Sequence, residues 1–219
     1  MCTDFRRDLI DASRRDGSGQ TSVGMTSDLT DLLRQVRACT ICAEHLPAGP
    51  RPVLQVGPGA PIVIIGQAPG RRVHESGVPW DDPSGDRLRD WLGLDYETFY
   101  DPAAVAIVPM GFCYPGTGAG GDLPPRPECA PEWHQALFAH LPGDRLEIIT
   151  GAYAQKRYVA DTAATVTETV AAWRERLPGQ VVLPHPSPRN NRWLIRNPWF
   201  AEETLPAVRE RVRRALDER

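Results

Sequence analysis

A short, uninterrupted apolar run, Ile62–Ile65, is the feature that most constrains the fold of this chain. Pro61 and Gly66 flank it and limit it to the length of a strand. A strand that is apolar on both faces is typical of a parallel sheet covered on both sides. The sequence predicts three further strands of this kind, over residues 105–108, 146–150 and 181–183.

Helical patterns separate these predicted strands. Leucine and valine recur at helical spacing from Ser27 to Cys39, and Ser27 is a suitable N-terminal cap. Strands that alternate with helices indicate an α/β fold. We therefore expect a three-layer α/β/α sandwich around a central, mostly parallel, four-stranded sheet. Further helices are predicted over residues 84–92, 132–141, 167–177 and 200–216.

Length and composition restrict the class of protein further. A chain of 219 residues is sufficient for one domain, and residues 27–219 are predicted to form it. Residues 1–26 are polar and are predicted to be a disordered tail. No apolar signal region and no apolar run of about 18 residues occur, which predicts a cytoplasmic protein outside the membrane. The net charge of −3 excludes a globally basic polyelectrolyte. We also expect the protein to be a monomer.

Four of the five cysteines form a pattern that predicts metal binding. Two residues separate Cys39 from Cys42, a spacing that places both thiolates on one turn. Cys113 and Cys129 both lie in a long loop rich in glycine and proline. Four soft ligands fit zinc or an iron–sulfur cluster, and the alternative is four unrelated buried thiols. Cys2 lies in the polar tail and is not part of the pattern.

Three loops follow predicted strands, where α/β sheets bind their ligands. The first loop contains Gly66, Gln67, Ala68, Pro69 and Gly70, which favour a tight turn with exposed backbone N–H groups. An ordinary turn without a ligand would have the same composition.

The chain after this first loop contains an aromatic residue in a rigid setting. Trp80 lies between Pro79 and two aspartates, so its indole is predicted to be a stacking platform or a plug at the core edge. Glu75, Asp81 and Asp82 supply titratable groups beside it. Their alternative role is ordinary solvation, with Asp82 capping the next helix.

The loop after the last strand carries a histidine and local positive charge. His185 lies between two prolines at the predicted end of the strand, which is an unusual place for a core histidine. The segment from 186 to 197 contains no acidic residue, and local positive charge of this kind predicts a phosphate-binding edge. Its polar residues include Ser187, Arg189, Asn190, Arg192 and Arg196.

Together these segments resemble the uracil-DNA glycosylase superfamily, over about residues 28–216. Residues 66–70 are similar to the G-E-A-P-G motif of the iron–sulfur-bearing family 4 enzymes, and residues 185–190 to the H-P-S-P-R-N motif of the single-strand-selective monofunctional enzymes. Residues 77–80 resemble a G-x-P-F segment whose aromatic ring stacks on the flipped base. The cysteine spacing resembles cluster ligation in families 4 and 5.

The resemblance implies a fold, a cofactor and a reaction. It implies a [4Fe–4S] cluster on Cys39, Cys42, Cys113 and Cys129. It also implies a monofunctional DNA N-glycosylase that acts on DNA containing uracil or another deaminated or damaged base. The alternatives are an iron–sulfur module that binds abasic or damaged DNA without cleavage, and a zinc-stabilised α/β protein unrelated to DNA.

The resemblance also assigns roles to residues. His185 would stabilise the departing base, with Gln67, Asp81 and Asp82 as the other catalytic candidates. Base or DNA binding would involve Gly66, Ala68, Pro69, Gly70, Trp80, Ser187, Arg189, Asn190 and Arg192. The sequence departs from the family at three positions: Gln67 replaces the family 4 glutamate, Ala68 the family 1 aspartate, and Pro109 an asparagine that reads uracil. Asp81, Asp82 or Glu75 would then have to position the water.

Overall fold

The computed structural model describes residues 23–160 and 165–218, with side chains from Asp28 onward. Four of its strands form one sheet and two form a separate hairpin. In chain order the strands are β1 (Ile62–Ile65), β2 (Val105–Ile107), β3 (Thr117–Gly118), β4 (Gly121–Asp122), β5 (Leu146–Thr150) and β6 (Gln180–Leu183).

Helices occupy most of the chain between the strands. The described helices are α1 (Val23–Arg37), α2 (Arg71–Ser76), α3 (Pro83–Leu92), α4 (Tyr96–Tyr100), α5 (Cys129–Phe138), α6 (Ala152–Tyr158), α7 (Val166–Ala171), α8 (Trp173–Arg176), α9 (Asn191–Arg196) and α10 (Leu205–Asp217). Short 3₁₀ turns lie at Ala43–His45 and Pro188–Asn190, and a π-helical turn at Phe200–Thr204 leads into α10.

The sheet has the order β2-β1-β5-β6, and all of its strand pairs are parallel. Ile62 pairs with Val105 on one side and with Leu146 on the other, so β1 is an interior strand. All four β1 side chains are fully buried, as expected for a strand covered on both faces. The structure confirms the predicted α/β class, with a parallel four-stranded sheet flanked by helices.

The ends of helix α3 are defined by local sequence, and this fixes the position of the neighbouring residue Trp80. Asp82 is its N-cap, and its Oδ1 accepts a hydrogen bond of 2.8 Å from the backbone N–H of Gly85. Gly93 ends the helix in the left-handed conformation. Leu88 and Trp91 are buried and belong to the main core. The start of α3, next to Trp80, is therefore held firmly by the core.

Several element boundaries differ from the sequence prediction. Helix α1 begins at Val23 rather than Ser27, and the rest of the predicted tail lies outside the described residues. The predicted loop over 109–131 contains the β3–β4 hairpin and the first turn of α5. The predicted helix over 167–177 is divided into α7 and α8, and α2, α4 and α9 were not predicted. No helix within 23–160 and 165–218 combines the length and apolarity needed to cross a bilayer.

Candidate active site

A cavity of about 500 Å³ lies at the carboxyl ends of the four sheet strands. The loop after β1 forms one wall, and Pro109 follows β2. Tyr153 and His185 come from the segments after β5 and β6. Because the chain places β2 on one side of β1 and β5 on the other, this is the switch point at which α/β sheets bind ligands.

Most of the residues selected from the sequence line this cavity. The lining set includes Gly66, Gln67, Ala68, Pro69, Gly70, Trp80, Asp82, His185, Ser187, Arg189 and Asn190. Asp81, Glu75 and Arg192 are not part of the lining. Of the three carboxylates considered for placing water, the structure therefore brings only Asp82 to the cavity.

The orientation of the His185 ring follows from one hydrogen bond. The backbone N–H of Ser187 donates to Nδ1 of His185 over 3.2 Å, so Nδ1 is an acceptor and the proton lies on Nε2. Burial lowers the pKa of His185, while the nearby charges of Asp82 and Asp122 oppose this effect. His185 is therefore a neutral imidazole at pH 7. Nε2 has no partner among the described residues.

Neighbouring backbone holds the His185 segment in place. The Oγ1 of Thr150 donates to the carbonyl of Pro184 over 3.2 Å, and Nε2 of Gln155 donates to the carbonyl of Leu183 over 2.9 Å. A Cβ atom at Gly151 would lie 3.5 Å from Cδ2 of His185, so the ring packs directly on this glycine. The end of β6 is thus fixed by buried contacts from β5 and α6.

Trp80 combines a strained backbone with a position in the cavity wall. It is the only non-glycine residue of the described chain with a positive φ, at 58°. Such a conformation costs about 1–3 kcal/mol, and residues of this kind concentrate at functional sites. Its ring centroid lies 5.7 Å from that of His185. The indole also packs against the core, so Trp80 is both a cavity wall and a core-edge residue.

Close backbone contacts explain why Trp80 keeps this conformation. A Cβ atom at Gly85 would lie 1.7 Å from the carbonyl oxygen of Trp80, so this position requires glycine. The hydroxyl of Tyr100 donates to the carbonyl of Pro79 over 2.9 Å. At Gly66, a Cβ atom would lie 2.8 Å from the indole, so the glycine allows the ring to lie on the end of β1.

The β3–β4 hairpin covers one side of the cavity and is tied to two of its loops. Nη1 of Arg189 donates to the carbonyl of Gly120 over 2.7 Å. Nε2 of Gln67 donates to the carbonyl of Leu123 over 3.4 Å. Gly121, at φ 124°, leaves room for the Arg189 guanidinium, which a side chain there would displace. These contacts bring the hairpin residue Asp122 to the cavity wall.

Asp122 and Tyr153 are cavity residues that the sequence analysis missed. Gly120 and Gly121 form a Gly-Gly pair, which is a hairpin signal and could have located the turn before Asp122. Tyr153 follows β5, the strand end for which no loop residue was considered. In neither case does the local sequence indicate that the side chain faces a cavity.

The four predicted metal ligands line a second, smaller cavity. Cys39, Cys42, Cys113 and Cys129 meet there among apolar side chains that include Leu46 and Phe112. Among the described residues, no three His, Cys, Asp or Glu side chains are arranged to hold a single metal ion. The shared cavity nevertheless brings all four cysteines of the sequence pattern to one location in the fold.

Two features of the surroundings act in opposite directions on the charge of these thiols: backbone N–H groups favour the thiolate, and burial favours the neutral thiol. The backbone N–H of Phe112 donates to Sγ of Cys129 over 3.4 Å, and Cys113 receives a backbone hydrogen bond from Arg51. Hydrogen bonds to sulfur are typical of cluster-ligating cysteines. Burial raises the pKa of Cys113 to about 11 and that of Cys129 to about 12. As free residues both would be neutral thiols, so a bound cationic group would be needed to hold them as thiolates.

The surface beside the first cavity carries exposed positive charge. Arg192 and Arg196 lie on α9, directly after Asn190, and neither forms a hydrogen bond or ion pair with another described residue. Between them Ile195 is 79% exposed. Arg189 differs, because its guanidinium holds the hairpin. The exposed face of α9 is thus available for an anionic partner.

A comparison with protein families identifies the class of this chain. Residues 54–209, well over half of the chain, match the model of the uracil DNA glycosylase superfamily. The protein belongs to this superfamily of DNA-repair hydrolases, and DNA is the partner that membership indicates. The matched segment contains the whole first cavity except Val53, together with Cys113 and Cys129. Cys39 and Cys42 lie before it.

Proposed function

We propose that this protein is a monofunctional DNA glycosylase that hydrolyses the N-glycosidic bond of uracil or another deaminated or damaged base. The observation that carries the proposal is the position of His185, which lines a cavity of base-binding size beside Trp80 and whose Nε2 has no hydrogen-bond partner among the described residues. The volume of about 500 Å³ lies within the usual range of about 300–1,000 Å³ for small-ligand sites.

The geometry supports charge stabilisation as the main catalytic effect. When the glycosidic bond breaks, negative charge develops on the departing base and positive charge on the sugar. Nε2–H of His185 donates a hydrogen bond to the base, and such a donor contributes about 10²–10³ in rate. Asp82 acts on the other reacting group: its negative carboxylate stabilises the positive charge that develops on the sugar.

A base in a duplex must leave the helix to enter this cavity. Flipping costs a few kcal/mol, and the cost is smallest for a damaged or mispaired base. Trp80 offers an aromatic face for stacking, which is worth about 1–3 kcal/mol per base. Arg192 and Arg196 bind the phosphates beside the cavity, because neither has an acidic partner among the described residues.

A lyase reaction through a Schiff base requires an amine in the cavity. Lys156 is the only lysine of the chain, and it is not among the residues that line the cavity. This supports hydrolysis by water and therefore a monofunctional enzyme.

The test is a panel of oligonucleotides that contain uracil, hypoxanthine, an abasic site or undamaged bases, in single- and double-stranded form. We expect release of at least one deaminated base under single-turnover conditions and none from undamaged DNA. His185→Ala serves as the matched inactive variant. Release by the variant at the parental rate would refute the assignment.

A second candidate function is a module that binds abasic or damaged DNA without cleavage. It is favoured by Gln67, Ala68 and Pro109, which replace the family's carboxylates and asparagine. The same panel separates the two functions. Tight binding to the abasic oligonucleotide, with no release of any base, would select the binding module.

We also propose a [4Fe–4S] cluster bound by Cys39, Cys42, Cys113 and Cys129. The shared cavity and the N–H···S hydrogen bonds support it. The cluster would be structural, because it would connect the segment after α1 to α5 and to the chain after β2. We expect Cys113→Ser to remove iron and visible absorbance from the purified protein, while Cys2→Ser retains both. Unchanged iron in Cys113→Ser, or zinc in the parent, would overturn the cluster.

A further inference from the structure

A carboxylate outside the sequence motifs lies directly over the first loop of the cavity. Asp122 ends the β3–β4 hairpin, and its Oδ2 lies 3.4 Å from the position of a Cβ atom at Gly70. The side chain is one of the cavity-lining residues. Asp122 thus brings negative charge to the loop in which Gln67 and Ala68 are uncharged.

The position of Asp122 is defined by contacts on both sides of it. The Arg189 guanidinium binds the carbonyl of Gly120, two residues before it. The Gln67 amide binds the carbonyl of Leu123, one residue after it. The Asp122 carboxylate itself accepts no hydrogen bond from any other described residue, so both of its oxygens are available to a ligand.

Asp122 also lies within electrostatic reach of the catalytic imidazole. Its charge acts on His185 and raises the pKa of that ring against the effect of burial. Asp122 and His185 therefore face one reaction volume from two different elements, the hairpin and the end of β6.

We propose that Asp122 is the catalytic carboxylate that binds and orients the water that attacks the sugar. The proposal rests on the glycosylase function proposed above. It assigns to a hairpin residue the role for which Glu75, Asp81 and Asp82 were considered from the sequence.

The step balances as a hydrolysis. The water oxygen bonds to C1′ of the sugar as the C1′–N bond breaks, and the bonding electron pair leaves with the base. Asp122 accepts one proton of the water, and the departing base, held by Nε2–H of His185, takes a proton from solvent. The products are the free base and an abasic site, with no other reactant.

Asp82 is the competing carboxylate, and its contacts make it less suitable. One of its oxygens is already bound to the N–H of Gly85 as the cap of α3. Asp82→Asn removes the charge but keeps the cap, since asparagine caps helices as well as aspartate does. The two aspartates can therefore be compared by matched substitutions to asparagine.

The experiment measures single-turnover base release and DNA affinity of the full-length protein, with the substrate identified in the panel. We expect Asp122→Asn to lower the release rate about 10²-fold or more and to leave affinity unchanged or tighter. Asp82→Asn should lower the rate less. Asp144→Asn, an exposed aspartate before β5 at the opposite end of the sheet, should retain the parental rate.

A rescue variant separates a catalytic role from a structural one. Gln67→Glu places a carboxylate in the loop after β1, next to the position of Asp122, so it should recover part of the rate lost in Asp122→Asn. A parent that releases base while Asp122→Asn stays within threefold of it would overturn the role of Asp122 alone. A larger loss in Asp82→Asn than in Asp122→Asn would assign the role to Asp82. A parent that releases no base from any oligonucleotide would overturn the glycosylase function, and this proposal with it.

Discussion

The imidazole of His185 illustrates how residue-scale contacts define the chemistry of the cavity. Its Nδ1 is occupied by the N–H of Ser187, so only Nε2–H can face a ligand. Burial lowers the pKa of His185 and so favours the neutral ring, which still has one N–H, on Nε2, to donate to a departing anion. The histidine in the sequence indicated a functional residue, but its tautomer follows only from the structure.

At Trp80, replacement by alanine should weaken DNA binding through lost stacking. We expect a loss of about 1–3 kcal/mol, which corresponds to about 5- to 150-fold in Kd. Fluorescence anisotropy with the preferred oligonucleotide of the panel measures this change.

Trp80→Phe is the matched control, because it keeps an aromatic face in the same wall. It should retain most of the affinity. If the alanine and phenylalanine variants bound DNA equally well, the ring would not stack on a base. Its role would then be limited to packing at the edge of the core.

His134, a buried residue behind the cavity, makes protein stability depend on pH. Its Nε2–H donates to the carbonyl of Pro109 over 3.0 Å, and burial lowers the pKa of His134 from 6.5 to about 4. The unfolded chain therefore binds a proton first as the pH falls. The free energy of unfolding should decrease by up to about 3 kcal/mol between pH 6.5 and pH 4.

Denaturant unfolding across this pH range tests the effect of His134. His134→Gln can still donate to Pro109 but does not titrate, so its stability should fall less steeply with decreasing pH. Parallel curves for the parent and the variant would show that His134 is not the residue responsible.

At the scale of elements, the sequence was most informative where local composition determines structure. The apolar run Ile62–Ile65 and the Leu146–Thr150 segment are strands because their residues fit a doubly covered sheet. The loops after β1 and β6 could be selected as site candidates because the carboxyl ends of parallel strands share one edge.

The β3–β4 hairpin shows why the rest of the site could not be predicted. Its strands are two residues long, too short for a periodic pattern. Its position depends on the contact between Arg189 and Gly120, which are 69 residues apart in the chain. The position of Asp122 at the cavity is therefore a consequence of tertiary structure, and the sequence around it is typical of a loop.

Helix α9 should contribute phosphate contacts to DNA binding. Each phosphate contact contributes about 0.7–0.9 to the slope of log K against log salt, so replacing Arg192 and Arg196 by alanine should reduce its magnitude by up to about 1.4–1.8. Titrations at several salt concentrations provide the measurement.

The control for this face is Arg213→Ala on α10, since Arg213 is already paired with Glu210 and Asp217. It should bind DNA with the parental affinity and slope. An unchanged slope in the Arg192/Arg196 double variant would remove α9 from the DNA interface.

At the scale of the whole molecule, the parallel sheet brings distant segments into one site. Residues 66–70, Pro109, Tyr153 and His185 follow four different strands, and all of them line one cavity. The β3–β4 hairpin closes a side of it, and the cysteine cavity lies where the segment after α1 meets α5. The arrangement explains how short, separated motifs come to lie at one cavity in this superfamily domain.

The most direct test of the central claim is single-turnover base release by the parent and by His185→Ala, measured together with DNA affinity. We expect the variant to release base about 10²–10³-fold more slowly while binding DNA nearly as tightly as the parent. This result would establish His185 as the group that stabilises the departing base. Equal release rates in the two proteins would contradict the account, and the cavity would then be a binding site only.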